Sequence, residues 1–224
     1  MEASGRSVIA VLGGTGPQGR GLALRFASAG HEMLVGSRQR DRGEKIAAEL
    51  VAGNAGLAIT GTDNLTAARR GEIVFIAVPY EGQADLLPGL TDAIGDKIVI
   101  NVVNPLAFDD IGPRALAVAE GSAVEQAARL LPRARMVSAF HDVSAKLLGK
   151  LSHPLDTDVL ICGDDEKAKR VVIALANELS GMRGVDAGPL RNSGHLEALT
   201  AVLLGINQTY RIQSGIRITG LPPA

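Results

Sequence analysis

The chain has 224 residues, 46% hydrophobic and 21% charged, which is the make-up of a globular protein of one or two domains. Basic and acidic residues number 23 and 24, and aromatics are only 3% with no Trp, so neither a polyanion-binding surface nor a base-stacking platform is expected. A single Cys rules out an internal disulfide framework or a cysteine-rich metal site. The opening MEASGRSVIAVLGG lacks the pattern of a signal peptide, and no apolar run approaches the roughly 20 residues that span a bilayer. A cytoplasmic protein with no membrane or nucleic-acid partner is the expectation.

Short β-branched runs alternate with helical stretches. Ser7–Leu12 reads as a strand that ends in glycines, and 18–29 as a helix closed by Gly30. A second strand is predicted over Glu32–Val35, and a second helix over Arg42–Val51 with Ile46, Ala47 and Leu50 on one side. Ile73–Val78, Lys97–Val103 and Met136–Phe140 are apolar enough to be strands covered on both faces. Helices fill 81–90 and 123–131, and 105–122 breaks every period. A strand at 158–162, a helix at 166–179, an extended piece at 184–187 and a last helix at 195–210 complete the chain. This alternation predicts an α/β, Rossmann-like doubly wound, mostly parallel sheet. Residues 1–190 would form the dinucleotide-binding domain, and 191–224 a helical segment.

Directly after the first strand, Gly14, Gly16 and Gly19 satisfy G-x-G-x-x-G at the mouth of a predicted helix. Such glycines allow a tight turn, close approach of backbone to a pyrophosphate, and close helix–strand packing. Pro17 suits the first helical turn, where its missing N–H costs nothing. An NAD site would carry Asp or Glu at the end of the second strand. This chain has Ser37 and Arg38, then Arg40 and Arg42, which suit a 2′-phosphate instead. NADP is therefore expected over NAD. The turns Val78-Pro79-Tyr80 and Asn101–Pro105 would complete the cleft. Of four histidines, His141 follows a strand and faces the same sheet edge; it is a candidate acid–base group or a satisfied surface histidine. Cys162 reads as a small buried hydrophobe.

Together with Val137–His141, Cys162-Gly163-Asp164-Asp165, Asp186–Leu190 and Glu197–Thr200, the opening from Leu12 to Arg38 resembles the NADPH-dependent F420 reductases, or F420H2:NADP oxidoreductases. The resemblance spans nearly the whole chain. It implies hydride transfer between C4 of the nicotinamide and C5 of the deazaflavin of coenzyme F420. It places Thr15, Gly16, Pro17, Gln18, Ser37, Arg38 and Arg42 at NADP, and Val78, Gly82, Asn104 and Ala145 along the cofactor cleft. His141 and Val143 then lie beside the deazaflavin, with Ser214 and Gly215 closing that pocket. His141 would hydrogen-bond the acceptor ring or carry a proton to it. The chain departs from the family pattern at Tyr80-Glu81-Gly82, where the family has Trp-Glu-His. It departs again at His141-Asp142-Val143-Ser144-Ala145, where the family has His-Thr-Ile-Pro-Ala, and over 207–220. Two other readings compete: an NADPH-dependent reductase of a flavin, quinone, imine or keto acid, and a non-catalytic NADP sensor. In all three, Leu196, Leu199, Leu203 and Ile206 would pack on the parent sheet or support a homodimer.

Overall fold

The computed structural model describes residues 5–221, so the first four residues of the opening segment and the last three of the tail lie outside the description. The first half of the chain runs β1 (Val8–Leu12), α1 (Pro17–Ser28), β2 (Glu32–Ser37), α2 (Arg40–Ala52), β3 (Ile59–Asp63), α3 (Asn64–Arg70) and β4 (Ile73–Ile76). Then come α4 (Tyr80–Leu86), a 3₁₀ turn over Leu87–Leu90, α5 (Thr91–Ile94) and β5 (Ile98–Asn101). The second half comprises β6 (Leu106–Asp109), β7 (Gly112–Ala115), α6 (Ala123–Leu130), β8 (Arg135–Ser138), α7 (Ala145–Leu148), β9 (Thr157–Gly163), α8 (Glu166–Asn177), β10 (Met182–Asp186) and α9 (Ser193–Tyr210).

Eight strands form one sheet in the order β10-β9-β8-β5-β4-β1-β2-β3. From β3 to β8 every pairing is parallel. β9 lies antiparallel to β8, and β10 runs parallel to β9. The expected mostly parallel, doubly wound sheet is thus observed, with two reversed strands at one edge. Successive β1 side chains feed opposite cores: Ile9 and Val11 enter the layer shared with α1, α2 and α8, while Ala10 and Leu12 face that of α3 and α6. Three of the four Phe residues knit the first core, with ring centroids 5.4 Å (Phe26–Phe75), 5.7 Å (Phe75–Phe140) and 5.9 Å (Phe26–Phe140) apart.

Several boundaries differ from expectation for local reasons. β2 continues two residues past Val35, so Ser37 is its last residue. β3 and α3 were not anticipated, because Ile59-Thr60-Gly61-Thr62-Asp63 has a single large apolar residue. The helix expected over 81–90 breaks at Leu87, before Pro88. Residues 105–122, expected to be irregular, contain the β6–β7 hairpin.

Two polar anchors position the second half. Arg25 of α1 is buried, and its guanidinium donates to the carbonyls of Leu147 (2.8 Å), Leu148 (3.0 Å), Lys150 (2.5 Å) and His153 (2.8 Å). This ties α7 and the turn after it to α1. Glu197 of α9, also buried, accepts the N–H groups of Ala123 (2.8 Å) and Val124 (3.1 Å) at the start of α6. Burial pushes its pKa up to about 7, against the pull of those two donors.

Candidate functional site: the dinucleotide cleft

The chain builds β1, β2 and β3 outward in one direction, then crosses back to β4 on the other side of β1. Crevices of this fold open where the strand order reverses, outside the carboxyl ends of the strands. A cleft of about 710 Å³ lies there. Thr15, Gly16, Pro17 and Gln18 line one side; Val78, Pro79, Tyr80 and Gly82 line another; Val102, Val103 and Asn104 line a third. Ser37, Arg38 and Arg42 close its far end, where they also border a further cavity of about 350 Å³.

The turn between β1 and α1 is the tightest part of the wall. A β-carbon on Gly19 would stand 2.5 Å from the α-carbon of Gly14, and one on Gly14 would stand 2.9 Å from the Val11 carbonyl oxygen. Both are glycines because helix and strand touch there. Gly13, outside the sequence motif, has φ +70°, and its β-carbon would stand 2.6 Å from Val78. It is the point at which the β1 and β4 turns cross. Gly16 is different: a β-carbon there would meet only the Gly13 carbonyl oxygen, at 3.9 Å. The fold does not require glycine at 16; bare backbone there is what a G-x-G-x-x-G motif offers to an approaching pyrophosphate. The first backbone bond closing α1 runs from the Arg20 N–H to the Gly16 carbonyl (2.9 Å), and no side chain caps this end. Earlier N–H groups therefore face the cleft, where the helix dipole favours an anion.

Charge at the far end is selective. Arg40 pairs with Asp63 (2.9 Å) and Glu44 (3.8 Å). Arg38 and Arg42, on either side of it, have no ion-pair partner among the described residues. Asp63 itself caps α3 by accepting the Thr66 N–H (2.7 Å) and hydroxyl (2.8 Å). Those bonds, with Arg40, hold its pKa down to about 2 despite partial burial. The nearby carboxylate is thus already committed, and two free guanidiniums stand beside the buried Ser37. Sequence reasoning missed Asn64, which lines the cleft and accepts the Gly13 N–H (3.1 Å); its only signal was the Asp63-to-Thr66 cap of an unanticipated helix.

The remaining candidates lie around the β8 turn. Phe140 adopts φ +63°, an unusual conformation for a bulky residue, and turns the chain out of the sheet. Its carbonyl accepts the Gln18 side-chain amide (3.0 Å), linking this turn to the glycine loop. His141 is buried, with neither ring nitrogen hydrogen-bonded, and burial holds its pKa down to about 3. The ring is neutral at ordinary pH, with one donor and one acceptor unspent. Val143 and Ser214 line a separate cavity of about 30 Å³ that also includes Gly215, and Ala145 begins α7 outside the cleft. The Ser214 N–H donates to Asn207 (2.5 Å), folding the tail back along α9. Cys162 is buried as expected, its thiol pushed up to about 11 mainly by burial.

A family profile described as NADP oxidoreductase, coenzyme F420-dependent, matches residues 8–105, from β1 to the third wall of the cleft. An F420-dependent NADP reductase of Methanocaldococcus jannaschii is 40% identical over 220 residues, covering 95% of this chain and 98% of its own length. The chain belongs to the F420-dependent NADP reductase family. A second relative of the family, from Methanothermobacter thermautotrophicus, is 38% identical over 96% of this chain and 95% of its own. The crystal structure of a protein from Arthrobacter sp. FB24, provisionally assigned as an F420-dependent NADP reductase, superposes with a TM-score of 0.82. It covers 96% of this chain and all of that one at 23% identity, a likeness of fold.

The contrast between glycines yields a paired prediction. Gly16→Ala should melt within about 2 °C of the parent yet bind NADPH at least tenfold more weakly, because only the ligand needs that space. Gly19→Ala should lower the melting temperature markedly, since it forces α1 off Gly14. Thermal denaturation and titration of NADPH fluorescence measure both.

Proposed function

We propose that this chain transfers a hydride between NADP(H) and coenzyme F420, with the nicotinamide held in the β1/β4 crevice. The observation that carries the reading is the far end of the cleft: Ser37 with two unpaired arginines, beside a carboxylate already neutralised by Arg40. That arrangement accepts a 2′-phosphate, and membership in the family names the second substrate class. When bound, the nicotinamide and the deazaflavin supply the redox chemistry themselves. The protein's task is to hold, align and dry them.

Each part of the chain has a place in that task. Backbone N–H groups at the start of α1 hold the pyrophosphate, and Arg38 and Arg42 hold the 2′-phosphate. Val78, Gly82 and Asn104 flank the nicotinamide half. Val143, Ala145 and Ser214 border the side of the second ring; both ring nitrogens of neutral His141 are buried, so it meets that ring only when the β8 turn opens. Residues 1–190 serve as the NADP-binding domain, and 191–224 close the second-substrate pocket through the Glu197 anchor on α6. The reading places the enzyme in the cytoplasm; among the described residues no helix is long and apolar enough to cross a membrane. It also makes the enzyme a homodimer. Phe108 and Ile111 of the hairpin, Val202 and Tyr210 of α9, and Ile212, Ile218 and Leu221 of the tail are exposed apolar side chains of the kind a second copy covers.

Direct transfer predicts that NADPH dideuterated at C4 delivers one deuterium to the reduced deazaflavin, read by mass spectrometry. Deuterium lost to water would contradict it. Arg38→Ala should weaken NADPH binding by about tenfold or more and leave NADH nearly unchanged, because only NADPH carries the 2′-phosphate. Equal losses for both nucleotides would place Arg38 elsewhere.

A further inference from the structure

This chain carries Asp142, a half-buried carboxyl, on the turn that follows β8. Its Oδ1 lies 3.0 Å from the Thr200 hydroxyl of α9. The same hydroxyl lies 3.2 Å from Oδ1 of Asn104, 3.4 Å from the His141 carbonyl and, at the longest distance, 3.5 Å from the Leu196 carbonyl one turn back in α9. The Asn104 amide nitrogen donates to that His141 carbonyl (3.2 Å), which fixes the amide with its oxygen toward Thr200. Asn104 in turn lines the dinucleotide cleft. Several acceptors therefore surround a hydroxyl that has one hydrogen to give.

The count has two solutions. With a proton on Asp142, the carboxyl donates to the Thr200 oxygen and Thr200 donates to Asn104, so every group is satisfied. Without that proton, Thr200 turns its hydrogen to the charged carboxylate, the closer and stronger acceptor. The Asn104 oxygen then faces other oxygens with no donor between them. We propose that Asp142 is a positioning residue which, through the Thr200 hydroxyl, gives the Asn104 amide a second anchor beside its bond to the His141 carbonyl when protonated, and removes that anchor when ionised.

The surroundings favour the proton. Burial pushes the Asp142 carboxyl up to about 6, with the Thr200 hydrogen bond pulling the other way. The charged and titratable groups on the elements around it are Asp156, which lines the same small cavity and is paired with Arg217, Asp158 of β9, paired with Arg183 and Arg217, Lys146 of α7, and His195 and Glu197 of α9, the last holding the α6 backbone. His141 beside it is neutral. Among the described residues no arginine or lysine forms an ion pair with Asp142. The doubly anchored state is thus full well below pH 6 and lost as pH rises through that value.

The test rests on NADPH binding in the cleft. NADPH affinity is measured from pH 5 to pH 8 for the parent and for Asp142→Asn, whose amide donates to Thr200 at every pH. The 2′-phosphate titrates equally in both proteins, so it cancels in the ratio. Parent and variant should bind alike at pH 5, and the parent about fivefold more weakly at pH 8, the worth of one neutral hydrogen bond. Thr200→Val should bind weakly throughout, without the pH-dependent step. Parallel profiles for parent and Asp142→Asn would overturn the proposal. A measurement on the unaltered protein stands independently of variants and of NADPH: the side-chain amide resonances of Asn104 should titrate together with the Asp142 carboxyl carbon. A titrating Asp142 with a motionless Asn104 amide would also overturn it, whereas failure of NADPH to bind any form would count against the cleft reading alone.

Discussion

Every feature of the site depends on how closely the backbone turns after β1 and β4 pack at the point where strand order reverses. Gly13 crosses the β4 turn against Val78, and Gly19 rests on Gly14. Two contacts that admit no β-carbon bring the start of α1 to the carboxyl edge of the sheet. With it come N–H groups that the helix cannot satisfy internally. The cleft exists because the sheet changes direction there, and it favours anions because a helix begins there.

Selectivity is then a matter of which charges are already spent. Three arginines crowd the end of β2 and the start of α2, where the helix dipole disfavours cations. Arg40 is consumed by Asp63 and Glu44; Arg38 and Arg42 are not. Exposed guanidiniums with no ion-pair partner among the described residues suit a ligand that brings negative charge. The second half of the chain meets a different need, holding the β8 turn against the glycine loop. Gln18 reaches the Phe140 carbonyl, Arg25 gathers four carbonyls from α7 and the turn after it, and Glu197 fixes α9 to α6. Each is a polar side chain whose partners come from distant parts of the chain, and Arg25 and Glu197 are buried.

That distinction explains what could be read from the sequence. The β1 strand, the glycine motif and the Ser37/Arg38 end of β2 are local signals, with periodicity and spacing inside about thirty residues, and the structure gathers those residues around one cleft. Gly13 and Asn64 were not legible, because their importance arises only where β4 and α3 come to lie beside β1. β3 has too few apolar residues to show a strand pattern, and the β6–β7 hairpin lies mostly at the surface, where burial leaves no pattern. The reversal of β9 against β8 is equally invisible, since apolar runs carry no direction. The Thr200–Asn104–Asp142 cluster draws on residues about 40 to 100 apart in sequence, which no spacing rule connects. His141 is legible from its place after a strand, whereas Val143, Ala145 and Ser214 rest on resemblance alone; the structure puts all four around the β8 turn and the folded-back tail rather than in the main cleft.

The central claim is that a 2′-phosphate-selective cleft delivers hydride to a deazaflavin. Its most direct test mixes the purified protein with F420 and NADPH and follows loss of the deazaflavin's visible absorbance, with NADH in a parallel reaction. The account predicts rapid bleaching with NADPH and little with NADH. Persistent absorbance with NADPH bound would contradict it and assign the cleft to another acceptor or to a sensor of NADP.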